Sequence, residues 1–267
     1  MIFLLPFLVI APPPSADEIM QQVAENQERA LAARAAYVYD MNVFVRLKRA
    51  NGKLAREESR DYVVTPGEKG AKRELLKVEG HILEGNRTIN YADAGYRTKD
   101  RDIDGALTDS FAREVLWEKS QLGPMVEWFP LTGAGIAKYS FRLEGEEKYR
   151  DYEVYKISYI EKDKEECWRG EALIEKHELQ PVMITAEWAC KIPLAVKAML
   201  GTNVEHIGAK IIYQRFGDGV WFPVTCGGEF KLRVLFLYAR TIAFSAKNSD
   251  FHKADVQSSV TFDNVQR

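Results

Sequence analysis

The stretch Tyr37-Val38-Tyr39-Asp40-Met41-Asn42-Val43-Phe44-Val45-Arg46-Leu47-Lys48, closed by Asn51-Gly52, decides the fold. Tyr37, Tyr39, Met41, Val43, Val45 and Leu47 alternate with a second set in which Asp40, Asn42, Arg46 and Lys48 are polar. Successive side chains of a strand point to opposite faces, so this period of two spells a strand with one apolar face. Asn-Gly is a strong hairpin signal. A two-residue loop pairs residues whose numbers sum to 103. Met41 then faces Tyr62, Tyr39 faces Val64, and Arg46 faces Glu57. The same register places Arg60 opposite Val43, on the apolar face.

Before the hairpin, Ser15-Ala16-Asp17-Glu18 is a capping-box pattern. Ile19, Val23, Ala30, Leu31 and Ala33 follow on or near one helical face, which predicts a helix to about Ala35. Further upstream, Ile2 to Ala11 is almost purely apolar, about half of the ~20 residues a membrane span needs. It reads as the apolar core of an export signal, with Pro14-Ser15-Ala16 as the cleavage zone. No Lys or Arg precedes it, and cleavage after Ala16 would remove the Ser15 cap. The expectation is a signal over residues 1–16, the alternative being a buried N-terminal segment, and a single domain over 17–267 that, if exported, is soluble outside the cytoplasm.

After the hairpin, Glu74–Val78 and His81–Leu83 read as strands flanking a Glu79-Gly80 turn. Residues 86–104 read as a polar loop. Leu107, Phe111 and Val115 predict a short helix with Asp104 as its cap, stopped by Gly123-Pro124. Tyr139, Phe141 and Leu143 alternate, as do Tyr155, Ile157 and Tyr159. Asp218-Gly219 marks a second hairpin with pairs summing to 437, so that Phe216 faces Trp221 and Tyr213 faces Val224. Leu232, Val234, Phe236 and Tyr238 form a strand, followed by Ile242, Phe244 and Ala246, then Val256, Val260 and Phe262. A hairpin of Trp168–Ile174 and Val182–Ala189, turning at Glu178-Leu179, has pairs summing to 357. That register sets Cys167 opposite Cys190 as a candidate disulfide; a one-residue slip defeats it. Cys226 reads as a buried apolar residue.

Strands in hairpin order without βαβ alternation predict an α+β, mainly β fold: one large curled antiparallel sheet with helices covering its concave face. The chain has 267 residues, 46% hydrophobic and 28% charged, which excludes a disordered chain. Lys+Arg 37 against Asp+Glu 39 leaves no positive excess to drive nucleic-acid binding. Thirteen Phe, 12 Tyr and 5 Trp are well suited to strands.

Catalytic templates fail. His177-Glu178 lacks the second His of a zinc protease, and Gly133-Ala134-Gly135 lacks the third glycine of a dinucleotide loop. His81, His177, His206 and His252 are scattered, and no nucleophile elbow occurs. The reading is therefore non-enzymatic, with no cofactor and no metal. The remaining feature is apolar strand faces, which either form ordinary core or line an acyl-chain site. Candidate cavity residues are Tyr39, Met41, Val43, Tyr62, Phe141, Ile157, Tyr159, Tyr213, Val234 and Phe236. Arg60 is a candidate anchor for a headgroup; the alternative is that it snorkels to the rim.

Three segments carry a family likeness. They are Tyr139-Ser140-Phe141-Arg142-Leu143-Glu144-Gly145-Glu146-Glu147; Trp168-Arg169-Gly170-Glu171-Ala172-Leu173-Ile174 with Gln180-Pro181-Val182; and Gly227-Gly228-Glu229-Phe230-Lys231-Leu232 running on to Asn248-Ser249-Asp250-Phe251. Together they resemble LolA-like outer-membrane lipoprotein-sorting proteins. The resemblance implies an unclosed antiparallel barrel with helices lying over an apolar cavity. It also implies a monomeric periplasmic carrier of lipoprotein acyl chains or lipid, working between inner- and outer-membrane transport components. The second function it implies is a sensor or adaptor that binds a protein partner. The motifs are strand-and-turn patterns and transfer no cargo-contacting residue.

Overall fold

The computed structural model describes residues 14–67, 71–115, 129–162, 168–189, 203–234 and 238–254. Helix α1 (Ala16–Arg34) leads into β1 (Tyr37–Arg49), β2 (Leu54–Thr65), β3 (Lys72–Glu84) and β4 (Arg87–Tyr91). Then come α2 (Ile103–Ser110) with a π-turn (Phe111–Val115) and, after residues 116–128, the short α3 (Gly133–Ile136). The chain then runs through β5 (Tyr139–Tyr149), β6 (Tyr152–Glu161), β7 (Trp168–Glu175), β8 (Pro181–Trp188), β9 (Asn203–Arg215), β10 (Trp221–Val234) and β11 (Tyr238–Lys253). The eleven strands among the described residues form one antiparallel sheet in the order β4-β3-β2-β1-β11-β10-β9-β8-β7-β6-β5. The pairing of β1 with β11 sets the first and last described strands side by side inside the sheet, and β4 and β5 are its edges among the described residues. The fold is thus the expected mainly-β, unclosed sheet with helices on one face.

Helix α1 begins as its sequence dictates. The Ser15 side chain accepts from the Glu18 amide, and the Glu18 carboxylate accepts from the Ser15 amide at 2.8 Å. Ile19, Met20, Val23, Ala24 and Ala30 are buried. Leu31 and Ala33, expected on that face, point to solvent. Asn26 and Gln27 are buried in their place because each is bound to the β7–β8 connection: Asn26 Nδ2 donates to the Glu178 and Leu179 carbonyls, and Gln27 to the Gln180 side chain.

The first hairpin keeps the expected partners, with Met41 opposite Tyr62, Tyr39 opposite Val64, Arg46 opposite Glu57 and Val43 opposite Arg60. Its loop has three residues rather than two. The Arg49 amide donates to the Lys53 carbonyl, Gly52 is left-handed at φ +79°, and a bulge at Ala55 restores the register. The Asp218-Gly219 hairpin repeats the device. Gly219 has φ +86°, Trp221 faces Arg215, and Pro223 faces Tyr213, which corrects both expected pairs. Beyond the bulge at Val224 the pairs sum to 437 as read, for example Cys226 with Ile211.

Other expectations are corrected. Strand β3 runs straight through Glu79-Gly80; the glycine serves a close approach, since a Cβ there would lie 2.1 Å from the Tyr91 ring. Part of the supposed loop after residue 86 is β4, turning at Gly85 with φ +61°. The cap of α2 is Asp102, whose carboxylate accepts from the Gly105 amide at 2.8 Å, and not Asp104. Strands β7 and β8 pair Trp168 with Trp188, a sum of 356, one residue from the expected register. Cys167 and Cys190 lie outside the described residues, as do Ile2–Ala11, Gly123-Pro124, Phe236, Val256, Val260 and Phe262. Gly133-Ala134-Gly135 opens α3 under a Thr132 cap.

Candidate functional site

The inner face of the sheet is the face that α1 and α2 cover. Its rows can be followed across the strands. One row runs Ile157, Ala172, Ile184, Ile211, Cys226, Ala246, Val43, Arg60 and Val78. Met41, Val43, Ile157, Tyr159 and Tyr213 belong to one buried core, with Tyr39, Tyr62 and Phe141 partly buried against it. Val234 stands at the end of β10 opposite Tyr238; its side chain is outside the described ones. The cavity expected at these residues is occupied by the chain itself. Ile19, Met20 and Val23 of α1 join the core over one half of the sheet. Phe111 of the π-turn lies against Phe230 and Phe244 over the other, at ring-centre distances of 5.3 and 5.7 Å. Of the candidates, Phe141 and Tyr159 border a cavity of about 990 Å³. That cavity belongs to the outward face, because its walls are the alternating outward residues such as Ser140, Arg142, Ser158, Glu171 and Lys210.

Two polar insertions interrupt the apolar inner face. The first is a charge cluster on β2. Arg56, Glu58 and Arg60 alternate inward and are all buried, Arg60 to 1% exposure. Arg60 donates to Glu58 at 2.6 Å and to Asp109 at 2.8 Å. Arg56 donates to the Tyr91 hydroxyl at 2.8 Å, to Asp102 at 3.0 Å and to the Tyr96 carbonyl at 2.6 Å. The Tyr91 hydroxyl in turn donates to Glu58 at 2.7 Å. Arg113 and Arg97 complete the shell of Asp109 at 2.6 and 3.6 Å. At the other end of α2, Asp104 accepts two hydrogen bonds from Arg240 of β11, at 2.8 and 2.9 Å, and one from Tyr238. Three aspartates of one helical segment therefore dock on three inward arginines of the sheet. Arg60 neither snorkels nor offers a free guanidinium.

The electrostatics follow from this pairing. Burial works against the charge on Asp102 and Asp109, yet the Gly105 and Thr98 amides with Arg56, and Arg60 with Arg113 and Arg97, hold both carboxyls below the usual range. Burial and the Glu58 carboxylate push the Tyr91 phenol up, so it remains a donor.

The second insertion is an open corner where β1 begins, β2 ends and β3 begins. Leu75 faces Tyr62 on the inner side yet is 41% exposed, and Tyr39, Tyr62 and Arg73 are half-buried. The last residue of α1, Arg34, lies just ahead of the start of β1 and is buried, as is Tyr213. This site was not legible in the sequence, because Arg34 reads as an ordinary basic residue in a helix's last turn.

Elsewhere, the exposed Glu178 of the His177-Glu178 pair accepts from Arg215 at 2.6 Å and from the Trp221 indole at 2.7 Å. Burial pushes the Cys226 thiol up to about 12, a poor nucleophile. Among the described residues no group of three or more His, Cys, Asp or Glu side chains is placed to hold a metal ion. No helix among them is long and apolar enough to cross a membrane.

No family model matches the sequence, and no curated protein matches it. Among solved structures, a domain assigned to outer membrane lipoprotein sorting from Vibrio parahaemolyticus aligns at 12% identity. The alignment covers 89% of this chain and 93% of that one, with a TM-score of 0.39. A DUF1329-family protein from Desulfovibrio piger aligns at 11% identity over 92% and 96%, with a TM-score of 0.36. A LolA superfamily protein from Nitrosomonas europaea aligns at 11% over 91% and 95%, with a TM-score of 0.33. Likenesses this distant carry no argument about function, and the fold described above stands on its own strand pairing.

Proposed function

We propose that this chain is a non-enzymatic, exported carrier that receives an acyl chain of a lipid or lipoprotein on the inner face of its sheet. The observation that carries the reading is how the covering layer is attached. Apolar packing alone would weld α2 to the sheet. Here its segment docks through the Asp102–Arg56, Asp109–Arg60 and Asp104–Arg240 pairs. Such pairs have their attraction largely offset by desolvation, so they fix position while adding little net hold. A cover held this way exchanges for a ligand at modest cost, and each methylene that replaces it on the apolar face returns about 0.8 kcal/mol. The corner at Tyr39, Tyr62 and Leu75 supplies an entrance. The apolar run Ile2–Ala11 supports export to the periplasm. An adaptor that adds a partner strand needs an inviting sheet edge. Edge strand β5 instead carries Arg142, Glu144, Glu146, Glu147 and Lys148, charges that discourage strand addition.

Mass spectrometry of an organic extract of the purified full chain tests the reading, together with binding of the fluorescent polyene cis-parinaric acid. Co-purifying acyl lipid and saturable probe binding are expected. A lipid-free protein that leaves the probe unbound refutes the carrier.

A further inference from the structure

Every inward arginine of the α2 docking cluster has a carboxylate; Arg34 is different. It is 4% exposed at the end of α1, and its three hydrogen bonds go to neutral acceptors of its own helix. They are the Ala30 carbonyl at 3.1 Å, the Gln27 carbonyl at 3.5 Å and the Gln27 side-chain oxygen at 3.3 Å. Its Nη1 is buried and meets no acceptor among the described residues. Among the described residues the Tyr213 and Tyr39 phenols lie within electrostatic reach, and the buried Tyr213 hydroxyl stands close to Arg34 without reaching normal hydrogen-bond geometry. Arg73 stands in the same cross-strand row as Tyr39, with Val64 between them, and within electrostatic reach of the Tyr39 and Tyr62 phenols. Two guanidinium groups are therefore within electrostatic reach of one tyrosine at the open corner. Arg34, a buried cation with no carboxylate among the described residues, is costly there unless an anion joins it. Guanidinium forks match carboxylate and phosphate oxygens. The surroundings, Met41, Leu75 and the tyrosine rings, are apolar and suit a chain attached to such a head.

We propose that Arg34 and Arg73, with the phenols of Tyr39, Tyr62 and Tyr213, form a subsite for the anionic head of an acyl amphiphile, a carboxylate or phosphate ester. The proposal rests on the carrier reading and names its ligand's head. Arg73 at the mouth meets the anion first, and Arg34 receives it in the interior. The chain then follows the apolar rows of the inner face.

The test is isothermal titration of the lipid-stripped full chain with decanoate, decyl phosphate, decanol and inorganic phosphate. A charge-assisted hydrogen bond makes the two anionic amphiphiles about tenfold or more tighter than decanol. Arg73→Met narrows that preference several-fold, and Arg34→Met abolishes it. The Ala30 and Gln27 carbonyls retain their helical hydrogen bonds without the guanidinium, and the Gln27 side-chain oxygen loses only a long bond of 3.3 Å, so removing the buried charge in Arg34→Met also raises the melting temperature of the stripped protein. A structural capping role for Arg34 demands a lower one. Equal binding of decanoate and decanol, or a preference unchanged in Arg73→Met, overturns the subsite and leaves the carrier standing. A destabilised or unfolded Arg34→Met overturns it too. Inorganic phosphate binding as tightly as decyl phosphate assigns the corner to free anions and overturns the amphiphile. If no decyl compound binds the wild type, the carrier reading itself fails.

Discussion

Replacing Arg60 by Met removes the cation that Glu58 and Asp109 share while keeping most of the side-chain volume. Leaving a buried charge without its partner costs about 3–5 kcal/mol. The cluster itself sets where in that range the loss falls. Asp109 retains Arg113 at 2.6 Å and Arg97 at 3.6 Å, and Glu58 retains the Tyr91 hydroxyl at 2.7 Å. The expectation is therefore the lower end, about 3 kcal/mol. In urea that is a midpoint lowered by about 1 M, for a slope near 3 kcal/mol/M. Tryptophan fluorescence follows the transition, since Trp221 is buried in the core. The double variant Glu58→Met/Arg60→Met removes the anion that the single variant strands, and it recovers about 2 kcal/mol of the loss. An Arg60→Met protein within 1 kcal/mol of the wild type, or a double variant that is no better than the single, refutes the account of this cluster. Arg34→Met is the internal contrast: two buried arginines, one on the sheet and one on the helix that covers it, are expected to respond with opposite signs because, among the described residues, only Arg60 has a carboxylate.

Three further outcomes are expected. Asp102 and Asp109 are held below the ordinary carboxylate range, so the folded chain binds fewer protons than the unfolded one. The stability they contribute is complete above about pH 4 and is lost as pH falls through their lowered native values. Urea midpoints at pH 5 and pH 3 should diverge for the wild type and converge for Asp102→Asn/Asp109→Asn; equal divergence in both contradicts the assignment. Gly80→Ala forces a methyl into the Tyr91 ring and should cost about 1–3 kcal/mol, against about ±0.5 kcal/mol for Gly217→Ala, where the space is open. Similar midpoints for the two would show that the ring yields. Ser15→Ala should cost about 1 kcal/mol and speed amide exchange in the first turn of α1; unchanged exchange would mean that the helix does not depend on its cap.

Much of the architecture is local information and was legible in the sequence. The alternation from Tyr37 to Leu47, the Asn51-Gly52 and Asp218-Gly219 loops and the Ser15–Glu18 box act between neighbours a few residues apart. They fixed strands, turns and the first helix, and even the pairing of Val43 with Arg60. Where local reading erred, a distant contact had overruled it. Gly80 looked like a turn and is a seat for Tyr91, eleven residues on in sequence. Two-residue loops were expected, and left-handed glycines with a compensating bulge took their place.

The site was another matter. Arg56, Glu58 and Arg60 could be placed on the inner face from their spacing, but their partners Asp102 and Asp109 lie 46 and 49 residues away along the chain. Arg34 carries no local mark at all. A side chain's charge is written in the sequence; whether folding brings an opposite charge to it, and whether water can reach it, depends on which distant segments share its space. The sequence by itself therefore determined the sheet and its greasy face. Only the tertiary structure decided that Arg60 there is neutralised and that Arg34 of the covering helix is left with neutral acceptors, since pairing and desolvation are properties of the assembled interior.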